Sequence, residues 1–201
     1  MRNIIDTTFG EVLTMTWPTL FIAVVLVVTI RIGYLLKHKD EFVFYKEILY
    51  LCFMLYILCL FQIVTAEDLN DANGNNFKLF SEIFRYQFGG RLFFKNIIGN
   101  VLMFVPYGFF ASLYVDIKHP IKAFILIFVA SLSIETTQLM IGRVFDVDDI
   151  LLNVTGGMIG YVIYYLLDKL TSHIPILKKE LVLNILTIII LVLFIAFIAW
   201  R

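Results

Sequence analysis

The residues that could carry out chemistry lie at three ends of long apolar segments. Polar side chains begin the third segment, end the fourth and begin the fifth, and they are Asn96, Asn100, Glu135, Gln138, Arg143, Asp146, Asp149 and Asn153. Arg85, Arg91 and Lys95 lie in the loop that leads into the third segment. Because successive membrane helices alternate in direction, the three polar ends lie on one side of a membrane in either orientation. The sequence therefore predicts one polar binding site, which also includes Arg85.

The spacing of these residues indicates which helix faces meet. One series follows i, i+4, i+7 and i+11, which is a single face of a helix, and it consists of Ser131, Glu135, Gln138 and Gly142. The same spacing recurs in the fifth segment at Asp149, Asn153, Gly156 and Gly160. We expect these two stripes to face each other, with the glycines allowing a close approach of the backbones.

Glu135 is the most informative residue of the group because a carboxylate inside a bilayer is costly. Insertion scales put the cost at roughly 2.5–3.5 kcal/mol at the bilayer centre, so Glu135 should face protein or water and have a partner. Arg143 is the first candidate partner, followed by Arg85 and Arg91. Either one ion pair fixes the helix packing, or the polar groups form a binding or reactive site. In a reactive site, Glu135 or Asp149 would be the general base.

The acidic group Asp146, Asp148 and Asp149 offers oxygen ligands only. Such a patch could bind Mg²⁺ or Ca²⁺, hold the arginines in position, or be a plain solvated loop. The histidines all fall in loops on the opposite side, and they are His38, His119 and His173. A histidine-ligated zinc site and a Ser-His-Asp triad are therefore excluded at the polar cluster. We expect neither a metal nor a cofactor.

Composition assigns the chain to a class. Of its 201 residues, 61% are hydrophobic and only 16% are charged, with a mean hydropathy of +0.91. A soluble domain carries about 25% charged residues, so an integral membrane protein is indicated. The formal net charge is zero, which excludes the basic surface of a nucleic-acid binder.

Six apolar segments are long enough to cross about 30 Å of hydrocarbon as helices. They are Trp17–Leu36, Ile48–Ala66, Ile97–Val115, Ile121–Ile141, Ile150–Leu167 and Leu181–Trp200. The predicted fold is an all-α, polytopic membrane helix bundle of about six transmembrane helices in the cell membrane. We divide the chain into a two-helix segment (1–66), a long outward loop (67–96), core helices (97–168) and a last loop and helix (169–201).

Two local features refine this prediction. The long loop carries Phe77, Phe80, Phe84 and Phe88 at helical spacing, which predicts a short interfacial helix with its aromatic side toward the lipid. In the third segment, Pro106 removes a backbone hydrogen bond and should bend the helix near Gly108.

Lysines are densest after the first, third and fifth segments, so these loops are expected in the cytoplasm and the polar site is expected to face outward.

Two ordered motifs stand out in the polar ends of these segments. The pattern G-N-x-x-x-F-x-P-x-G is matched by Gly99, Asn100, Phe104, Pro106 and Gly108. The pattern E-x-x-Q, R, D-x-x-D, N-x-x-G is matched by Glu135, Gln138, Arg143, Asp146, Asp149, Asn153 and Gly156. Together they resemble the VanZ-like family, named for a small membrane protein associated with teicoplanin resistance in Gram-positive bacteria, and the resemblance covers about Asn76–Tyr161. It departs from the family where Asn-Leu-Ile-Pro-Phe is usual, because Leu79 stands in place of the proline.

The resemblance implies a role in glycopeptide resistance or in the cell envelope. The leading hypothesis is a non-enzymatic protein whose polar site binds a cell-wall precursor, another envelope component or the antibiotic itself. An alternative is an enzyme that modifies a lipid-linked or wall precursor, but no nucleophile or phosphate-loop motif is present. A third is a small transporter or scaffold, although transport sites usually lie near the bilayer midplane.

Overall fold

The computed structural model describes residues 2–38, 41–65, 76–174, 176 and 179–200. The described residues are mostly helical and form no strand. The α-helices are Arg2–His38 (α1), Phe44–Thr65 (α2), Ser81–Arg85 (α3), Gly99–Val115 (α4), Pro120–Met140 (α5), Val147–His173 (α6) and Glu180–Trp200 (α7). A π-helix, Phe93–Ile98, runs directly into α4. The all-α membrane bundle predicted from the sequence is confirmed.

Each predicted span coincides with a helix. Among the described residues, five segments are long and apolar enough to cross a membrane, and they are Phe21–His38, Phe44–Val64, Phe93–Val115, Pro120–Met140 and Val147–His173. The sixth predicted span coincides with α7, whose 21 residues cover about 31 Å at the standard helical rise. The division into four sequence segments stays a prediction, and residues 66–75 of the long loop lie outside the described residues.

The helices fall into two compact units, of which Cys59–Leu166 forms the larger part of one. Its core is the contact between α4, α5 and α6, where Phe104, Ala123 and Ile127 are almost completely buried. Helix α4 continues through Pro106. Because α4 and α6 begin where α5 ends, the polar ends of all three helices lie on one side of this unit.

Glycines bring two helix backbones together, although not the pair that the stripes predicted. A Cβ atom built on Gly156 would collide with the carbonyl oxygen of Val101, and one on Gly160 would collide with that of Val105. Gly108 meets the backbone of Gly157 in the same way. The expectation that Gly156 and Gly160 face the stripe of α5 is therefore wrong, because these glycines pack against α4.

The interfacial helix is shorter than the phenylalanine spacing predicted. Helix α3 has five residues, and Phe80 precedes it with a left-handed φ of 67°. Side-chain oxygens compete for the backbone here, because Asn76 accepts from the N–H of Lys78 at 3.0 Å and Asp148 accepts from that of Phe80 at 2.5 Å. Such local bonds interrupt a helix. Phe84 and Phe88 remain 84% and 88% exposed, as an interfacial segment requires.

The opposite end of α4 carries a second polar group. The hydroxyl of Tyr164 donates to Asp116 Oδ1 at 2.7 Å, and Lys118 Nζ lies 2.7 Å from the same oxygen. Hydrogen bonding to Lys118, and then to Tyr164, lowers the pKa of the Asp116 carboxyl. Asp116 lies sixteen residues after Asn100, roughly 24 Å along a helix.

The other unit contains Thr14–Leu58 and the chain from Leu167 onward. Arg31 forms two hydrogen bonds with the carboxylate of Glu47, at 2.8 and 2.9 Å. The backbone N–H of Tyr45 donates to Asn184 Oδ1 at 2.9 Å. These contacts tie α1 to α2 and α2 to α7.

Candidate functional site

A small polar cavity lies at the common end of α4, α5 and α6. Its volume is about 80 Å³. Six of the predicted site residues line it, and they are Asn100, Glu135, Gln138, Arg143, Asp149 and Asn153. Four apolar residues complete the lining, and they are Ile63, Val64, Met103 and Ile134. Three helix ends and the turn after α5 thus place their polar side chains around one space, with α2 closing it.

Glu135 and Arg143 are connected through Gln138. The amide orientation of Gln138 that satisfies both neighbours lets it donate to Glu135 Oε1 at 2.9 Å and accept from Arg143 Nη1 at 3.1 Å. The second carboxylate oxygen of Glu135 accepts from the backbone N–H of Asp146 at 3.2 Å. Glu135 is 2% exposed. The carboxylate therefore meets the expected arginine through an amide, with no direct ion pair between these two residues.

Arg143 also holds the end of α2. Its Nη1 donates to the carbonyl oxygen of Val64 at 2.9 Å, in the last turn of a helix that ends at Thr65. The last carbonyls of a helix have no intrahelical partner, and a cation is stabilising there. The sequence reasoning treated only the third to fifth spans as the site and missed α2. The sequence carried no clear signal for this contact, because its acceptor is a backbone carbonyl.

Two asparagines link the remaining helices. Asn100 Nδ2 donates to Asp149 Oδ1 at 2.5 Å, which joins α4 to α6. Asn153 Nδ2 donates to Ser131 Oγ at 3.2 Å, which joins α6 to α5. Asn153 is 2% exposed, and its Oδ1 has no hydrogen-bond partner. Because buried polar atoms are nearly always paired, this unpaired acceptor is the most unusual atom of the cavity.

Asp146 lies beside the cavity, and its side chain contacts both the first turn of α6 and Asn76. Its Oδ1 accepts from the backbone N–H of Asp148 at 2.8 Å, which caps the N-terminus of α6. The same oxygen accepts from Asn76 Nδ2 at 3.0 Å. Backbone bonds from Asn76 to Phe145 and from Val147 to Asn76 complete a parallel bridge. The sequence reasoning missed Asn76 as part of this assembly, although its position in the quoted family motif was a signal.

We expect Asp146→Ala to release the loop that begins at Asn76. The change removes one helix cap and one side-chain hydrogen bond, and loss of such a cap costs about 0.5–2 kcal/mol. In the variant, hydrogen exchange measured by mass spectrometry should be faster than in the parent protein for residues 76–81, and the increase should be larger there than in α5. Equal protection of residues 76–81 in the variant and the parent protein would contradict the assignment.

The other predicted site residues do not line the cavity. Arg85, Arg91 and Lys95 are exposed, and Asn96 is half-buried in the π-helix. The described residues contain no group of three or more His, Cys, Asp or Glu side chains arranged to hold a metal ion. His119 precedes α5, at the end opposite Glu135.

A comparison with known protein families matches the part of the chain that forms the cavity. The family model described as VanZ/LLP1 matches residues 45–168, which include all of α2 except Phe44 and every residue that lines the cavity. No curated protein and no solved structure gives a significant match. The matched region covers more than half of the chain, so this protein belongs to the VanZ/LLP1 family.

Proposed function

We propose that this membrane protein binds the polar end of an envelope component in the cavity, and that this binding contributes to tolerance of teicoplanin and related glycopeptides or to envelope homeostasis. The observation that carries the proposal is the convergence of six polar side chains on one space. A structural ion pair needs two of them. Ionisable side chains within membrane segments are costly and by default indicate a functional site.

The volume of the cavity limits what the ligand can be. About 80 Å³ is available, whereas sites for drug-sized molecules measure about 300–1,000 Å³. A glycopeptide antibiotic is larger than such molecules. We therefore propose that the ligand is a small polar head group and that the effect on the antibiotic is indirect, through the envelope component that carries this group.

The distribution of lysines supports an outward cavity. By the alternation of the spans, nine of the 16 Lys and Arg residues, including Lys118 and Lys122, fall on the side opposite the cavity, and seven fall on the cavity side. Lysine-rich ends of membrane helices are retained in the cytoplasm. In this orientation the cavity opens toward the outer leaflet, where envelope precursors and glycopeptides meet.

A catalytic role for Glu135 is disfavoured by the way this carboxylate is engaged. One of its oxygens accepts from Gln138 and the other from the backbone of Asp146. A general base must direct a lone pair at the proton that it removes. Both oxygens of Glu135 are directed at the protein, so this carboxylate is arranged to hold the site rather than to react.

We expect Asp149→Asn and Glu135→Gln to abolish the tolerance that the parent protein gives to a sensitive host. Both changes preserve side-chain shape and remove one charge that lines the cavity. The measurement is the minimal inhibitory concentration of teicoplanin, which should fall to that of a host carrying an empty vector. Asp116→Asn is the matched control, because it removes a carboxylate at the far end of α4. If all three variants protect as well as the parent at equal membrane abundance, the cavity is not the active feature.

A further inference from the structure

The unpaired oxygen of Asn153 points to a ligand that donates hydrogen bonds. Its amide nitrogen is engaged by Ser131, and its oxygen is buried without a partner. Leaving a buried acceptor unsatisfied costs about 1–3 kcal/mol. Asn153 lines the cavity together with Asp149, which uses only Oδ1 to accept from Asn100. Two acceptors are therefore available to a group inside the cavity.

The charges around the cavity point to a ligand that is positive. Glu135 and Asp149 bring two carboxylates to the lining, and Arg143 brings one guanidinium. Arg143 uses Nη1 to donate to Gln138 and to the carbonyl of Val64. Two carboxyl groups thus face one guanidinium in the lining, which suits a cation better than an anion. A bound ammonium would pair with these carboxyl groups and would satisfy the free acceptors at the same time.

The side chains and the volume of the cavity favour an organic cation over a metal ion. The described residues offer no set of three carboxylate, thiolate or imidazole side chains that could coordinate a metal. A primary ammonium needs only two or three separate acceptors, since each of its N–H groups makes one hydrogen bond. The volume of about 80 Å³ has room for such a group with the methylene that carries it.

We infer that the cavity receives a primary ammonium group, whose N–H groups donate to Asn153 Oδ1 and to the free oxygen of Asp149. This inference rests on the proposed function and names the chemistry of its head group. Two sources present this chemistry next to a membrane. One is an amphiphile with an ammonium head group, such as phosphatidylethanolamine, and the other is a free alkylamine dissolved in water.

The test uses a series of lipids that differ only in the number of N–H donors. Full-length protein in detergent is titrated with phosphatidylethanolamine, its N-methyl and N,N-dimethyl derivatives, and phosphatidylcholine, and bound lipid is measured by native mass spectrometry. The charges stay the same along the series while the donors fall from three to none. We expect affinity to fall along the series and to be weaker for phosphatidylcholine by about tenfold or more, as for loss of charge-assisted hydrogen bonds.

Variants connect this affinity to the cavity. Asn153→Leu and Asp149→Asn should remove the preference for phosphatidylethanolamine over phosphatidylcholine, and the far-end control Asp116→Asn should keep it. Competition by ethylammonium chloride at equal head-group concentration would identify the dissolved amine as the source. Equal affinity along the lipid series in the parent protein, or equal competition by sodium ions, would overturn the inference.

This experiment is independent of the tolerance assay. If the lipid series shows no preference while Asp149→Asn still abolishes teicoplanin tolerance, the ammonium assignment is wrong and the proposed function stands. If the preference is present and tolerance does not depend on the cavity residues, the ammonium site stands and the proposed function fails.

Discussion

Gly156→Ala is expected to lower the stability of the protein far more than the same added methyl group would on an exposed helix surface. The new Cβ would collide with the carbonyl oxygen of Val101, and a backbone atom cannot move aside as the end of a flexible side chain can. Overpacking of a tightly packed core costs about 1–3 kcal/mol and sometimes more. We expect a value at or above the upper end of this range, because the contact joins two helix backbones. The measurement is the midpoint of thermal unfolding in detergent.

Gly33→Ala is the matched control for this prediction. Gly33 lies within α1, and a Cβ built on it would meet nothing within 4 Å. Alanine is favoured over glycine inside helices, so this variant should unfold at the same temperature as the parent protein or slightly above it. Similar midpoints for Gly156→Ala and Gly33→Ala would contradict the close contact between α4 and α6.

Arg143→Met is expected to have the second large effect, on stability and on the cavity together. The change keeps a long side chain but removes the donor to Gln138 and to the carbonyl of Val64. It also leaves Glu135 and Asp149 without the arginine that lines their cavity. A hydrogen bond that involves a charged group contributes about 1.5–3 kcal/mol, and this change removes two of them. Thermal unfolding should report this loss, and hydrogen exchange should increase in the last turn of α2.

Two further variants test whether the stability lost in Arg143→Met comes from the contacts of Arg143 in the cavity. Arg91→Met removes an exposed arginine outside the cavity and should change stability by less than about 0.5 kcal/mol. In a Glu135→Leu background, the cost of Arg143→Met should shrink, because the carboxylate that needed the cation is gone. Additive effects of Glu135→Leu and Arg143→Met would mean that the connection through Gln138 carries no energy.

Hydrophobicity and helix direction were enough to predict most of the fold. Every apolar run of sufficient length became a helix, since the bilayer leaves a chain no other way to satisfy its backbone. Helix ends were less predictable. The π-helix Phe93–Ile98 begins the third span four residues before its predicted start at Ile97, and nothing in its apolar composition distinguishes it from an α-helix. Phe80 has a left-handed backbone, and its N–H donates to Asp148, 68 residues later, a contact that no local pattern could predict.

The polar ends of three helices could be assigned to one side by alternation alone, and the structure places six of their side chains around one cavity. What the sequence could not supply was the direction in which each side chain points. Gly156 and Asn153 belong to one stripe, yet the glycine meets α4 and the asparagine meets α5. A single stripe of α6 therefore contacts two neighbouring helices, α4 and α5. The part played by α2 depends on a backbone carbonyl, which no side-chain pattern reports.

The bridge between Asn76 and Asp146 imposes an order on how this protein is made. Asn76 precedes its partner by 70 residues, so at about 5–20 residues per second the ribosome needs roughly 4–14 s to deliver Asp146. The chain of α4 and α5 is synthesised during this interval. The loop that starts at Asn76 can therefore dock on Asp146 only after the whole of α4 and α5 has been synthesised.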